Sequence, residues 1–299
     1  NGHQFSEFIF LMMNASVGMM VLSWSNDLIV TFIGIEIMSL CLYLLIALSH
    51  EERMSKEAAF KYFLLGSFAS AIFLYGVALI FGSAQTTYIN EIMEIAPELS
   101  AASYIFLMGI VLTILGFCFK VAIVPFHAWT PDVYEGSPTP VTAYMASGVK
   151  LVTFIAFLRL VAGDYLATEL TGNFIEVLQW LAVFTILAGN IAAILQNSLK
   201  RMLAYSSIAH SGYALMGIIA SAVGVTNFLG ASGVVFYVMS YAIMTIGALG
   251  VVCLLEKEHD SIILVDDLSG LAKRNPWAAF CFTIFLLSLA GLPPTVGFF

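Results

Sequence analysis

The chain has 299 residues, of which 61% are hydrophobic and 10% charged, with a formal net charge of −8. A soluble domain carries about 25% charged residues, and a chain this short has no interior large enough to hide so much apolar surface. A water-soluble globule is therefore excluded; the solvent to reason about is lipid, and the position of each charge says more than the sum.

In chain order, apolar runs of spanning length predict helices at about 5–23, 27–48, 58–82, 102–128, 141–162, 178–197, 203–223, 230–255 and 277–299. Each is near the roughly 20 residues that cross about 30 Å of hydrocarbon. In lipid the backbone must satisfy its own hydrogen bonds, and no strand-length alternation competes with helix. The expected fold class is all-α, a polytopic membrane helix bundle of about nine transmembrane helices forming one integral membrane domain over 1–299. Between the third and fourth runs, QTTYINEIMEIAPEL sets Ile89, Ile92, Met93 and Ala96 at helical spacing, which predicts a short interfacial helix. Cys41, Cys118, Cys253 and Cys281 lie in or beside apolar runs and read as small core residues. No signal peptide is visible. NGHQFSEF opens without an initiator Met and LAGLPPTVGFF stops inside an apolar run, so the expectation is a fragment of a longer chain.

The map is tested by charge. Of eleven Lys and Arg, seven are expected in loops: Arg53, Lys56, Lys200, Arg201, Lys257, Lys273 and Arg274. If every predicted helix crosses, all seven fall on one face, while loops 24–26, 83–101, 163–177 and 224–229 contain none. The positive-inside rule makes the basic face cytoplasmic.

Four bases remain at membrane depth. Arg159, near the other end of its helix, can snorkel and reads as an anchor. Lys61 either snorkels or turns inward. Lys120 and Lys150 are deeper, and Glu36 is the acid deep in a span. Each central charge costs about 2.5–3.5 kcal/mol on insertion scales, so these side chains must find partners inside the bundle. One reading is an ion pair that ties helices together. The other is a proton relay, since several amines per carboxylate leave at least one base without a counter-ion and lysine changes charge readily on burial. Pro125 lacks an N–H, so the carbonyl of Val121 is expected to lose its partner beside Lys120, and Pro293 and Pro294 are expected to release Leu289 and Ala290. Broken helices at this depth mark ion pathways or are simple kinks. His210 is either a proton carrier or a helix-bound histidine, with Tyr205, Ser206 and Ser207 around it; His127 reads as hydrogen-bonded to a neighbouring helix. No phosphate-cradling glycine loop, iron–sulfur framework or haem motif is present, so no cofactor or metal site is expected.

The passage GFCFKVAIVPFHAWTPDVYEGSPTPVTAYMASGVK resembles the antiporter-like membrane subunits of respiratory complex I, the NADH-quinone oxidoreductase. NDLIVTFIGIEIMSLCLYLLIA, EAAFKYFLLGSFASAIFLYG, LKRMLAYSSIAHSGYALMG and LAGLPPTVGFF resemble the same family. The resemblance implies a fragment of a fourteen-helix antiporter-like fold with inverted repeats and broken helices. The first repeat would cover about 1–162 and an incomplete second about 178–299. It implies a proton relay of Glu36, Lys61, Lys120, Lys150 and His210, with helix breaks at Pro125, Pro293 and Pro294. A further family lysine would lie just past Phe299. The implied activity is that of a translocase subunit moving protons across a bacterial inner membrane. NAD, FMN, iron–sulfur clusters and quinone would sit in partner subunits, with none in this chain. Implied partners are lipids and other membrane subunits of complex I, namely antiporter-like subunit M and small subunits K, J and A, with no nucleic acid. The alternatives are a cation/proton antiporter subunit of the Mrp type and a non-transporting membrane scaffold.

Overall fold

The computed structural model describes residues 2–48, 53–161, 171–223, 227–256 and 263–298. Lys257, Phe299, the 163–170 part of the expected loop 163–177 and the 224–226 part of the expected loop 224–229 lie outside the described residues. Among those described the chain is helical with no β-strand; six helices are long and apolar enough to cross a membrane, and two isolated bridges pair short loops.

The first pass is α1 (Gly2–Trp24), followed by α2 (Leu28–Ala47) and α3 (Arg53–Ala84). The boundary between α1 and α2 is set by Asp27, whose carboxylate caps α2 by accepting from Ile29 N and Val30 N at 2.7 and 3.1 Å. Such a cap satisfies donors that helix geometry orphans. The amphipathic α4 (Ile89–Ala102) follows, with Ile89, Ile92 and Ala96 buried as their spacing predicted. The fourth crossing, α5 (Tyr104–Lys120), stops at Lys120 and resumes, after an irregular stretch, as α6 (Trp129–Gly136). The fifth runs from α7 (Thr139–Tyr144) through a π-helical turn (Met145–Val149) into α8 (Lys150–Val161). Then come α9 (Thr171–Ile194), α10 (Leu199–Val223), α11 (Asn227–Leu255), the short α12 (Leu271–Arg274) and α13 (Pro276–Leu289). Among the described residues, six helices have spanning length and α5 and α13 are shorter apolar helices, where the hydropathy pattern predicts about nine transmembrane helices.

Two of the predicted helices end early. The run at 102–128 leaves the helix after Lys120, and that at 277–299 after Leu289. The helices end before the prolines are reached, and hydrogen bonds re-pair carbonyls one turn earlier than those the prolines were expected to free. At the first break, Ala122 N donates to Phe119 O and Ile123 N to Cys118 O. Gly291 N to Ser288 O and Leu292 N to Leu287 O repeat the pattern at the second. Both are Schellman closures, which re-pair last-turn carbonyls around a left-handed residue. That residue is Ala122 (φ 62°) in one and Gly291 (φ 72°) in the other. Pro125 and Pro294 each stand three residues beyond it, after a cis peptide bond. They bar re-entry into the helix, because the residue before proline is driven out of the α region. Val124 N, freed by the break, donates to Thr185 Oγ1 on α9 at 3.0 Å.

The basic residues differ from expectation in one respect. Arg53 and Lys56 lie in the first turns of α3, and Lys200 and Arg201 in that of α10, not in loops. Lys200 and Arg201 meet acids at one end of the bundle, together with Lys61 of α3, through contacts described below. At the opposite end the Arg159 guanidinium donates to Ser25 O at 2.8 Å, and Leu28 N and Ile89 N bond to Thr87 O and Asn26 O. The basic end carries a matching pair, Leu199 N to Ile263 O and Val265 N to Asn197 O. Cys118 is buried, but Cys253 is exposed, which corrects its reading as a core residue.

Candidate functional site

Two amines are closed off from solvent. Lys120, 3% exposed, is the last residue of α5, where the negative end of the helix dipole favours a cation. Its Nζ donates to Ser39 Oγ at 2.7 Å, and Ser39 in turn donates to Ile35 O at 2.5 Å. Glu36 lies one helical turn before Ser39 and accepts from Ser70 Oγ of α3. No ion pair between Glu36 and a lysine falls within 4.0 Å among the described residues.

Lys150, 2% exposed, opens α8 directly after the π-turn. Its Nζ donates to Ser207 O at 2.7 Å, Ser207 Oγ at 2.5 Å and Ser211 Oγ at 2.8 Å. Hydrogen bonds to a charged group are worth roughly 1.5–3 kcal/mol each. Three of them outweigh the roughly 2.5–3.5 kcal/mol cost of an ammonium at bilayer depth. The acceptors are neutral, so the amine is stabilised without a facing carboxylate.

His210 shares α10 with Ser207 and Ser211. Its Nδ1 is 2.6 Å from Tyr237 Oη, and the rings of Tyr213 and Tyr241 pack on it at 5.7 and 4.9 Å. A cavity of about 540 Å³ joins His210, Asn190, Ser206 and Tyr237 to Leu289 and Gly291, so the histidine opens toward the second helix break. Ser206 lines this cavity while Ser207 faces Lys150. His127 departs from expectation: its Nδ1 is buried and makes no hydrogen bond to a neighbouring helix.

Lys61 stands apart from this cluster. Its amine lies 2.8 Å from both Glu57 and Asp132, and Arg201 bridges Asp132 and Glu135 at 2.8 and 3.0 Å. Lys200 pairs with Glu256 at 2.9 Å and donates to Ser137 O. An opening of about 170 Å³ beside Lys61 is bordered by Glu57, Asp132 and Glu135. Aromatic rings cluster next to Lys61 and Lys120 in the chain, at Tyr62 and Phe119. Tyr62 stacks on Trp129 at 4.6 Å, Tyr43 meets Tyr62 edge-on at 4.8 Å, and the Trp129 indole donates to Phe119 O at 3.1 Å.

The structure thus seats Lys150 of α8 against Ser207 and Ser211, on the same helix as His210, binds Lys120 to Ser39 one turn along α2 from Glu36, and leaves Lys61 at the mouth. Sequence reasoning missed Ser39, Ser70, Ser211, Asp132, Glu135 and Arg201. The acids of DVYEG and the dibasic LKR were visible signals, both lying at helix ends where opposite charges can meet; isolated serines in apolar runs give none.

A transmembrane family model described as NADH:quinone oxidoreductase/Mrp antiporter matches residues 25–299. The chain belongs to the NADH:quinone oxidoreductase/Mrp antiporter family. Within it, the chain is 58% identical over 300 aligned residues to NADH-quinone oxidoreductase subunit N of Bdellovibrio bacteriovorus, covering 100% of this chain and 61% of that one. The passage DVYEGSPTPVTA, which among antiporter-like subunits looks most like subunit N, agrees. Respiratory complex I from Thermus thermophilus matches with a TM-score of 0.81 and 35% identity over 98% of this chain and 61% of that one. The Mrp complex from a Dietzia species matches with a TM-score of 0.85 and 25% identity over 96% and 52%. The chain spans about three fifths of the length of the curated family members it matches.

Proposed function

We propose that this chain belongs to a proton-translocating, antiporter-like membrane subunit of a respiratory NADH-quinone oxidoreductase. In this reading Lys61 and its carboxylates form the mouth on the cytoplasmic side of a bacterial inner membrane. Protons reach Lys120 past the aromatic cluster, under the influence of Glu36, and continue through Lys150 to His210 and the second break at Pro293 and Pro294. Quinone reduction in partner subunits supplies the energy. NAD, FMN, the iron–sulfur clusters and quinone belong to those partners, and antiporter-like subunit M and subunits K, J and A are the expected neighbours. The two halves of the chain, about 1–162 and about 178–299, are read as inverted repeats.

The observation that carries the proposal is the pair of amines, each under 4% exposed, bound to neutral acceptors with no carboxylate within 4.0 Å among the described residues. A helix-tying ion pair would have set an acid against each, as Glu57 and Asp132 are set against Lys61. An amine without a fixed counter-ion can exist in both charge states, as a relay requires.

Lys120→Ala and Lys150→Ala in the complete complex test this. Each should assemble and lose most NADH-driven proton pumping in inverted vesicles. Failure to assemble would favour the scaffold reading, and normal pumping would end the relay. The Mrp reading has a comparable fold likeness but lower identity, 25% against 35%; sodium-dependent transport in the same vesicles would favour it.

A further inference from the structure

We propose that Ser207 and Ser211 are positioning residues that hold the Lys150 amine in one place through both of its charge states, by reversal of their hydroxyls. The inference rests on the relay reading above and adds to it the device that lets Lys150 release a proton without swinging away.

An ammonium has three donors and no acceptor, and Lys150 has three acceptors within 2.8 Å: Ser207 O, Ser207 Oγ and Ser211 Oγ. Every N–H is therefore used. A neutral amine has two N–H groups and one lone pair. A carboxylate could not fill that lone pair; a serine hydroxyl can, because it donates as well as accepts. The Ser211 hydroxyl now donates to Ser207 O at 3.0 Å, and the Tyr134 and Tyr241 side chains face Ser207 from α6 and α11. When the proton passes to the next base, one hydroxyl turns toward Nζ. Both serines stay in contact with Nζ, one of them with donor and acceptor exchanged; where Ser211 is the one that turns, it gives up its bond to Ser207 O. Both serines are 1% exposed, so water does not compete for these positions.

The two halves of the chain supply a second, independent argument. The loop pairings place Leu28 in correspondence with Leu199, and Asn26 with Asn197. Helix packing gives the same register: a Cβ on Gly18 would lie 2.6 Å from Met38 N, and one on Gly189 2.6 Å from Ala209 N. In that register Glu36 falls on Ser207 and Ser39 on His210. The second half thus places a hydroxyl where the first places its acid, and Lys150 rests on that hydroxyl.

The test uses the complete subunit in its native membrane complex, with Ser207→Ala, Ser211→Ala, the double variant, Ser207→Thr, Ser211→Cys and Lys150→Ala. NADH oxidation and proton pumping per NADH are measured in inverted vesicles across the active pH range and normalised to assembled complex. We expect each single alanine variant to lower pumping per NADH about tenfold and to shift its pH profile, the double variant to abolish pumping, and Ser207→Thr to restore it. A merely structural role would lower the amount of complex and leave the ratio and profile unchanged; that result overturns the proposal. If the alanine variants do not assemble, Ser211→Cys, with its weak hydrogen bonding, decides: wild-type pumping and profile overturn the proposal, and a shifted profile supports it. If Lys150→Ala stops pumping while the serine variants pump normally, the cradle is wrong and the relay stands. If Lys150→Ala itself pumps normally, the relay falls and the cradle with it.

Discussion

Three lysines set in apolar runs have three kinds of company. Lys61 faces two carboxylates, Lys120 a serine with an acid one turn away, and Lys150 only hydroxyls and a carbonyl. That these amines mattered was legible in the sequence, because an ionisable residue in an apolar run must find partners. Which partners was not legible, since Ser39 and Ser211 differ in no local way from other serines of the same helices. The charges at the mouth also differ among themselves. The Lys61 and Asp132 side chains are 41% and 36% exposed, whereas Glu135 is 13% exposed and meets Arg201. Exposed pairs contribute about 0–1 kcal/mol, while removing one partner of a more buried pair strands the other charge at a cost of several kcal/mol. Lys61→Met should therefore leave the thermal unfolding midpoint of the solubilised complete subunit nearly unchanged. Arg201→Met should lower it by several degrees. Equal shifts for the two would show that burial does not govern this network.

At the scale of elements, the breaks were seen in sequence but placed too late. Proline draws the eye because it forbids helix, yet the chain leaves the helix at a left-handed residue three positions earlier. That conformation costs an L side chain roughly 1–2 kcal/mol, which glycine avoids. One break uses alanine there and the other glycine. Ala122→Gly should therefore raise stability by about 1 kcal/mol and Gly291→Ala should lower it by about as much. Denaturant unfolding in a fixed detergent would check both, and a loss of stability in Ala122→Gly would refute the assignment of strain. Helix existence was legible from hydropathy, but helix ends depend on capping: Asp27, Ser103 and Asn275 accept from the first-turn donors of α2, α5 and α13.

At the scale of the whole molecule, the sequence predicted which ends of helices lie together by basic charge alone. The contacts agree: Lys61, Lys200 and Arg201 meet acids and carbonyls at one end, while Arg159, Ser25 and Thr87 meet at the other. Alternation of short and long polar gaps could not reveal that the loop pairing at Leu28 is repeated at Leu199 on the opposite end, because those bonds are made by backbone. A sidedness experiment follows. Cysteines replacing Gln85 and Lys273, in a background with Cys253 removed, should react with a membrane-impermeant maleimide from opposite sides of sealed vesicles. Labelling of both from one side would break the topology described above.

The π-helical turn at Met145–Val149 has a consequence for direction. An α-helix advances about 100° per residue, so the surplus residue of a wider turn offsets everything after it by about that angle relative to everything before. Thr139 and Glu256 anchor the segment ahead of the turn, and Lys150 is the first residue behind it. The azimuth at which the amine meets α10 is therefore set by one supernumerary peptide unit, and a seamless helix of the same composition would aim it at a different neighbour.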